Sequence, residues 1–216
     1  GLYDLKGDQA SRTGEWLALT GDVIDGATAV ALGLADHLVD AARLPDAWEA
    51  LATLHGSSAD SLNAWVAMFS GASRAYPVRA RGQIDQYFAL DSVPAILLAL
   101  EADSSEWAQH TAATLRKRSP LMLHVVLEQV RRARSMTLAD DLRMERDMVR
   151  HCFFTQHLGR AGAASETVEG IRASAVDKDH APRWNPVRVE EVTSEMVEPF
   201  FASPWPAHAH PLRDLD

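Results

Sequence analysis

Nine histidines, one cysteine and two isolated charged residues, Glu145 and Lys178, are the positions whose chemistry could make a site. His151 and His157 stand across a helix end, and His208 and His210 sit in a Pro-rich tail. Neither pair has Cys or carboxylate companions at the spacing a zinc site requires, so no metal centre is expected. Cys152 falls within a helical apolar face, where a thiol reads as buried and inert. No Gly-x-Ser-x-Gly turn offers a nucleophile, and no glycine-rich loop after a strand offers a dinucleotide or P-loop fold. Glu145 is the one carboxylate that interrupts an apolar stripe, that of Leu138, Leu142, Val149 and Cys152. A buried acid can be tuned for proton transfer, but it more often holds an arginine or a backbone group, and the structural role is the stronger reading. Lys178, between Asp177 and Asp179 in a turn, reads on chemistry alone as a solvated loop lysine. Trp184, flanked by Pro182 and Pro186, reads as a packing anchor for the tail.

Charge narrows the partners. The net charge of −9 argues against nonspecific binding to nucleic acid or an anionic membrane. Its distribution is uneven: residues 116–188 hold 14 Lys+Arg against 9 Asp+Glu, and the rest of the chain holds 7 against 21. A basic surface for a polyanion such as a nucleotide would look like this. So would arginines at helix C-termini and on solvated faces, which is the weightier reading on charge alone. The apolar run Val93 to Leu100 is far too short to span a bilayer. A single cysteine permits no internal disulfide and suggests nothing secreted.

The elements that would position these residues are mostly helices. Gly14 to Thr20 predicts a short helix closed by Gly21, and Asp25 or Gly26 opens a second that Gly33 stops. Leu34 to Val39 predicts a short strand, in the only stretch where sheet is expected. Helices follow over 44–54, 60–69, 82–90, 93–102 and 105–117, the last started by Ser104-Ser105-Glu106. Ser119-Pro120 caps a helix whose Leu123, Val126, Leu127 and Val130 form one buried stripe, with Arg131, Arg132 and Arg134 at its C-terminal end. Leu138 to Phe153 forms the next helix, and a small-residue linker, 159–164, leads to another over 165–176. Thr193 caps a last short helix, and the tail from Ser203 is expected to be irregular or mobile. The expected division is 1–40 as the end of an α/β core, 41–203 as a helical region and 204–216 as an irregular tail.

Three stretches resemble a known family. Trp16-Leu-Ala-Leu-Thr-Gly21, Gly26 and Gly33-Leu-Ala-Asp-His-Leu-Val39 resemble the Leu-Thr-Gly turn, helix and Gly-Leu strand of the crotonase superfamily. Ser119-Pro120 with its helix, and Leu138 to Met148, resemble the paired C-terminal helices of 3-hydroxyisobutyryl-CoA hydrolases. Val168-Glu-Gly-Ile-Arg-Ala173, Val176-Asp-Lys-Asp179, Pro182-Arg-Trp184, Pro186 and Glu191-Val-Thr193 resemble that hydrolase branch in particular. Thr167 departs from the Phe common in the family, and the region from Gly56 to Tyr76 matches nothing in it.

The resemblance implies an α/β crotonase-like spiral fold in the parent protein, with this chain mostly helical and a short β remnant near its N-terminus. It implies acyl-CoA thioester hydrolysis, as in valine breakdown, with coenzyme A as part of the substrate and no separate cofactor. The family's oxyanion-hole donors and its catalytic Glu and Asp are expected upstream of Gly1, so no catalytic residue is assigned in this chain, which is expected to lack an N-terminal catalytic half. Lys178 is expected near the phosphate-bearing end of coenzyme A, across a subunit boundary of a homo-oligomer. Expected partners are therefore an acyl-CoA and further subunits, in the cytoplasm or the mitochondrial matrix, without nucleic acid or membrane. The alternatives are an enoyl-CoA hydratase or isomerase and, from a different class, a non-catalytic helical docking or oligomerisation module.

Overall fold

A computed structural model describes residues 11–54, 58–71 and 79–215. Eleven α-helices succeed one another among these residues. They are α1 (Thr13–Thr20), α2 (Gly26–Ala31), α3 (Leu44–Ala52), α4 (Ala59–Phe69), α5 (Arg79–Phe88) and α6 (Val93–Ala102). The others are α7 (Glu106–Arg116), α8 (Pro120–Ala133), α9 (Leu138–Phe153), α10 (Glu166–Ile171) and α11 (Ser194–Val197).

Caps fix where the chain turns helical. Ser92, Ser105 and Ser119 each accept the N–H of the third residue onward, at Ala95, Ala108 and Met122, which satisfies a donor the helix cannot use itself. Gly21 ends α1 at φ +64°, with its N–H on the Leu17 carbonyl, a conformation that suits glycine.

The central helix is α8. One side of it, at Leu123 and Leu127, joins a core with Trp16 and Leu19 of α1, Phe88 of α5, Ile96, Leu97 and Leu100 of α6, and Leu115 of α7. The other side, at Leu121 and Val125, joins a smaller core with Met144 and Met148 of α9, Val197 and Phe200. A helix apolar on both sides is buried between layers. Helices α3 and α4 pair with each other outside both cores, and Trp65 of α4 donates to the Ala47 carbonyl of α3 at 2.9 Å.

Three expectations need correction. No strand forms among the described residues: Leu34 to Val39 makes a single antiparallel bridge, Val39 with Ser70, and Gly71 donates to the Leu38 carbonyl. One bridge without a ladder leaves the β-forming residues unpaired. The stripe of Leu138, Leu142 and Val149 is not buried either, since Leu138 is 74% and Val149 53% exposed. The buried face of α9 is Asp141, Met144, Asp147 and Met148, because that side meets α10 and the turn Glu198–Phe201 and shares a core with Leu121 and Val125. Glu145 is consequently half-buried, accepting from Gln129 Nε2 at 3.3 Å. The acid that lies wholly inside is Glu15 of α1, at 0% exposure, held by Arg134 at 2.7 Å and Arg12 at 3.1 Å.

The tail contains no α-helix beyond Val197 among the described residues, yet it is tied down. His210 is buried; its Nδ1 accepts the Leu212 N–H at 3.0 Å, so Nε2 carries the proton it gives to Asp147 at 3.2 Å. Arg143 donates to the carbonyls of Leu212 and Leu215, and the guanidinium of Arg146 lies over the Trp205 ring.

Candidate functional site

A cavity of about 560 Å³ opens where α1, α8 and α10 meet the loop after α10. That size suits a small organic ligand. Leu19, Met122, Leu123 and Val126 of the first and central helices give it an apolar lining, and Ser119, Glu166, Lys117 and His180 add polar groups.

Each wall is fixed by a local device. On the α1 side, Arg118 lays Nε and Nη2 on the Thr20 carbonyl, Nε at 3.0 Å. A Cβ at Gly21 would stand 3.2 Å from Arg118 Nη2, so the close approach favours glycine there, as its positive φ does. Where α8 begins, the Ser119 hydroxyl caps the helix and also donates to Glu166. Glu166, only 4% exposed, accepts from Arg160 at 3.2 Å and from the Asn185 N–H at 3.0 Å, so its buried charge is compensated. Facing these, Trp184 donates Nε1–H to the Lys117 carbonyl at 3.0 Å. Its ring lies so close to Gly170 that a Cβ there would be 3.3 Å away.

The loop itself begins in a wide turn. After α10 the chain winds as a π-helix over Arg172–Val176, a form often found at functional sites. Lys178 and His180 then adopt positive φ, +56° and +53°. Such backbone is uncommon away from glycine and has to be held by its surroundings. Arg172 does the holding. Its Nε and Nη2 grip the two Glu169 oxygens at 2.9 and 2.8 Å, Nη1 reaches Asp177 and Asp179, each at 2.7 Å, and Nη2 also meets the Ala181 carbonyl at 3.1 Å. The hydrogen bonds from Arg172, with the Arg183 N–H, hold the Glu169 carboxyl down to about 2. Asp179 is lowered too, first by the Ala181 N–H and then by Arg172, whose own guanidinium is held more firmly protonated.

The sequence-predicted residues scatter around this site. Lys178 is exposed and does not line the cavity, but His180, two residues on, does. Trp184 is an anchor, for the cavity wall rather than for the tail. Glu145 lies on α9, outside the cavity lining. His151 and His157 each give a ring N–H to a backbone carbonyl, of Ala202 at 2.7 Å and Met196 at 3.0 Å, around Phe200. Burial pushes the Cys152 thiol up, against reactivity. Among the described residues no three His, Cys, Asp or Glu converge as a metal site would require, and no helix is long and apolar enough to cross a membrane. Glu166, Arg172 and Lys117 were not singled out from the sequence. Only Arg172 carried a signal, as part of the Glu-Gly-Ile-Arg run.

Similarity to known proteins follows the same segments. The family described as enoyl-CoA hydratase/isomerase matches residues 6–201. The Arabidopsis thaliana "3-hydroxyisobutyryl-CoA hydrolase-like protein 5" is 33% identical over 195 residues, covering 87% of this chain and 49% of that protein. The "small ribosomal subunit protein mS47" of the same plant is 34% identical over 198 residues, covering 87% and 46%. A crystal structure of a carnitinyl-CoA dehydratase from Mycobacterium thermoresistibile superposes with a TM-score of 0.77 at 32% identity, over 95% of this chain and 55% of that one. The chain thus spans about half the length of the curated relatives it matches. With its helices superposing on a crotonase-fold enzyme and its sequence matched almost throughout, the chain belongs to the enoyl-CoA hydratase/isomerase family, the crotonases.

Proposed function

We propose that this chain is the C-terminal part of an acyl-CoA thioester hydrolase acting on a short branched β-hydroxyacyl-CoA such as 3-hydroxyisobutyryl-CoA. One observation carries the reading. The three stretches that carry the family resemblance, the last two of them resembling the hydrolases, are remote in sequence, and they contribute to one cavity. Leu19 and Gly21 come from the first stretch, Ser119 and Met122 from the second, and Gly170, Ala173, Pro182 and Trp184 from the third. Residues that resemble one enzyme family, most of them its hydrolase branch, and line one ligand-sized space fit a shared substrate better than three separate structural roles.

In this reading the upstream half supplies the oxyanion donors and the acids that activate water. The present chain supplies a wall of the acyl-CoA site, and Lys178 lies toward the phosphate-bearing end, where an ammonium suits a phosphate. The protein would assemble as a homo-oligomer in the cytoplasm or the mitochondrial matrix. The 216-residue chain alone is expected to release no free thiol from 3-hydroxyisobutyryl-CoA, whereas the longer enzyme releases it at an enzymatic rate. Thiol release by the chain alone would overturn the division of labour. Hydration of an enoyl-CoA by the longer enzyme, without thiol release, would instead favour the hydratase reading.

A second reading has one observation behind it: a relative at 34% identity is named as a ribosomal subunit protein. The chain would then serve as a helical docking module. A longer protein that neither binds nor turns over any acyl-CoA, yet sediments with a large assembly, would favour it.

A further inference from the structure

The outer face of α9 is apolar and uncovered. Leu138, Leu142, Val149 and Phe153 follow one another at steps of four, seven and four residues, which keeps them on one side of a helix. All four are 37–74% exposed, while Asp141, Met144 and Met148 seal the opposite side. Single apolar side chains on a surface need no explanation, but a continuous row along a 16-residue helix marks an interaction surface.

The row is also a palindrome, with its midpoint between Glu145 and Arg146. Leu142 stands three residues before Glu145 and Val149 three after Arg146, whereas Leu138 stands seven before and Phe153 seven after. Adjacent positions of a helix do not face each other, so Glu145 and Arg146 cannot pair within one copy. Turned end for end, a second α9 brings Arg146 opposite Glu145, Val149 opposite Leu142 and Phe153 opposite Leu138. The same contacts then repeat across the axis, which is what a two-fold interface requires and what a face made for a different protein has no need of. Both central charges have capacity for this. A carboxylate accepts several hydrogen bonds, of which Gln129 supplies one to Glu145, and Arg146 turns the face of its guanidinium to the Trp205 ring at 4.8 Å, which leaves N–H groups at its edge. Antiparallel helices also set opposite ends of their macrodipoles side by side.

We infer that α9 is a dimerisation helix, whose outer face docks antiparallel on the α9 of a second copy of this chain about a two-fold axis at Glu145 and Arg146. The inference rests on no part of the acyl-CoA reading, and it gives the homo-oligomer proposed there a surface. Four apolar side chains from each copy and two reciprocal ion pairs make a small seam, so the dimer is reversible rather than permanent.

The test is sedimentation equilibrium of the 216-residue chain over a range of concentrations. A monomer–dimer equilibrium with a dissociation constant on the order of 10 µM is expected. Val149→Asp places a charge against Leu142 of the other copy and is expected to weaken the dimer more than about tenfold, with the melting temperature of the dilute chain unchanged because the position is exposed in the monomer. Glu145→Arg sets two arginines against each other at the axis and is expected to weaken it about tenfold. Adding Arg146→Glu to Glu145→Arg exchanges the charges and is expected to restore the dimer, an outcome that general damage to α9 would not give. A chain that stays monomeric up to roughly millimolar concentration overturns the inference, as a face covered by upstream chain or by an unrelated protein would require. So does a dimer indifferent to Val149→Asp, or a charge-exchanged variant that stays as weak as Glu145→Arg alone. A monomeric chain leaves the hydrolase reading standing, and a dimer whose longer enzyme releases no thiol sinks only that reading.

Discussion

The helical block before α8 and the irregular chain after α9 are held together by different physics. In the block, α1, α5, α6 and α7 close on α8 through apolar side chains, and Phe88, Ile96, Leu97 and Leu100 are fully buried. The chain from 155 to 215 is held instead by long cationic and aromatic side chains, its own and those of α9, reaching for backbone carbonyls. Arg160 takes that of Asn185, Trp184 that of Lys117, His157 that of Met196, and Arg143 those of Leu212 and Leu215. Burial of apolar area is non-directional and tolerates adjustment, whereas a carbonyl held by a fork of N–H groups fixes direction. The irregular chain can therefore aim the loop at the cavity, and the block can supply the platform beneath it.

The comparison predicts a gradient of effects. Truncating the block should cost most: Phe88→Ala is expected to destabilise by about 3–5 kcal/mol in chemical denaturation, from lost burial plus the cavity it leaves. Next comes Glu15, the charge inside the block. Glu15→Ala leaves Arg134 and Arg12 without their shared carboxylate and is expected to cost about 2–4 kcal/mol. Both losses falling below 1 kcal/mol would mean that the block is not the platform described.

In the irregular chain single changes should cost less and move the loop more. Glu166→Ala removes the acceptor shared by Ser119, Arg160 and the Asn185 N–H, and is expected to cost about 1–3 kcal/mol. Acid should act there selectively. Glu169 is held at about 2, below its ordinary 4.5. Its contribution is therefore complete above about 4.5 and lost as the pH falls through about 2, with the lowered Asp179 acting in the same direction. The Trp184 indole N–H resonance should shift within that window while the methyls of Ile96 and Leu100 stay in place. If both sets move together, the two regions unfold as one. The smallest effect is expected at Glu145: half-buried on α9, its change to Ala should cost less than about 1 kcal/mol in the same denaturation assay.

Legibility from sequence follows the same division. Helix positions in the block could be read because apolar spacing and serine caps recur with the helical period, and Ser105 and Ser119 cap where they were expected to. The stripe on α9 misled because Leu138, Leu142 and Val149 share a face as apolar as the buried one. Which face turns inward is decided by α10 and the turn Glu198–Phe201, not by α9 itself. The strand expected at 34–39 failed since a strand exists only with a partner. Glu15 went unnoticed because Arg134, which grips it from 119 residues away, leaves no local pattern, and Arg12 three residues before it reads as an ordinary surface pair. The family resemblance located the stretches that build the cavity. It gave no sign that Arg172 would absorb both aspartates around Lys178.

Those stretches meeting on one substrate is the central claim, and the footprint of coenzyme A on the chain tests it most directly. Backbone amide exchange of the 216-residue chain, with and without millimolar coenzyme A, should show protection confined to residues 18–21, 117–123 and 170–184. Protection of α3 and α4 instead, or no change around Trp184, would contradict it.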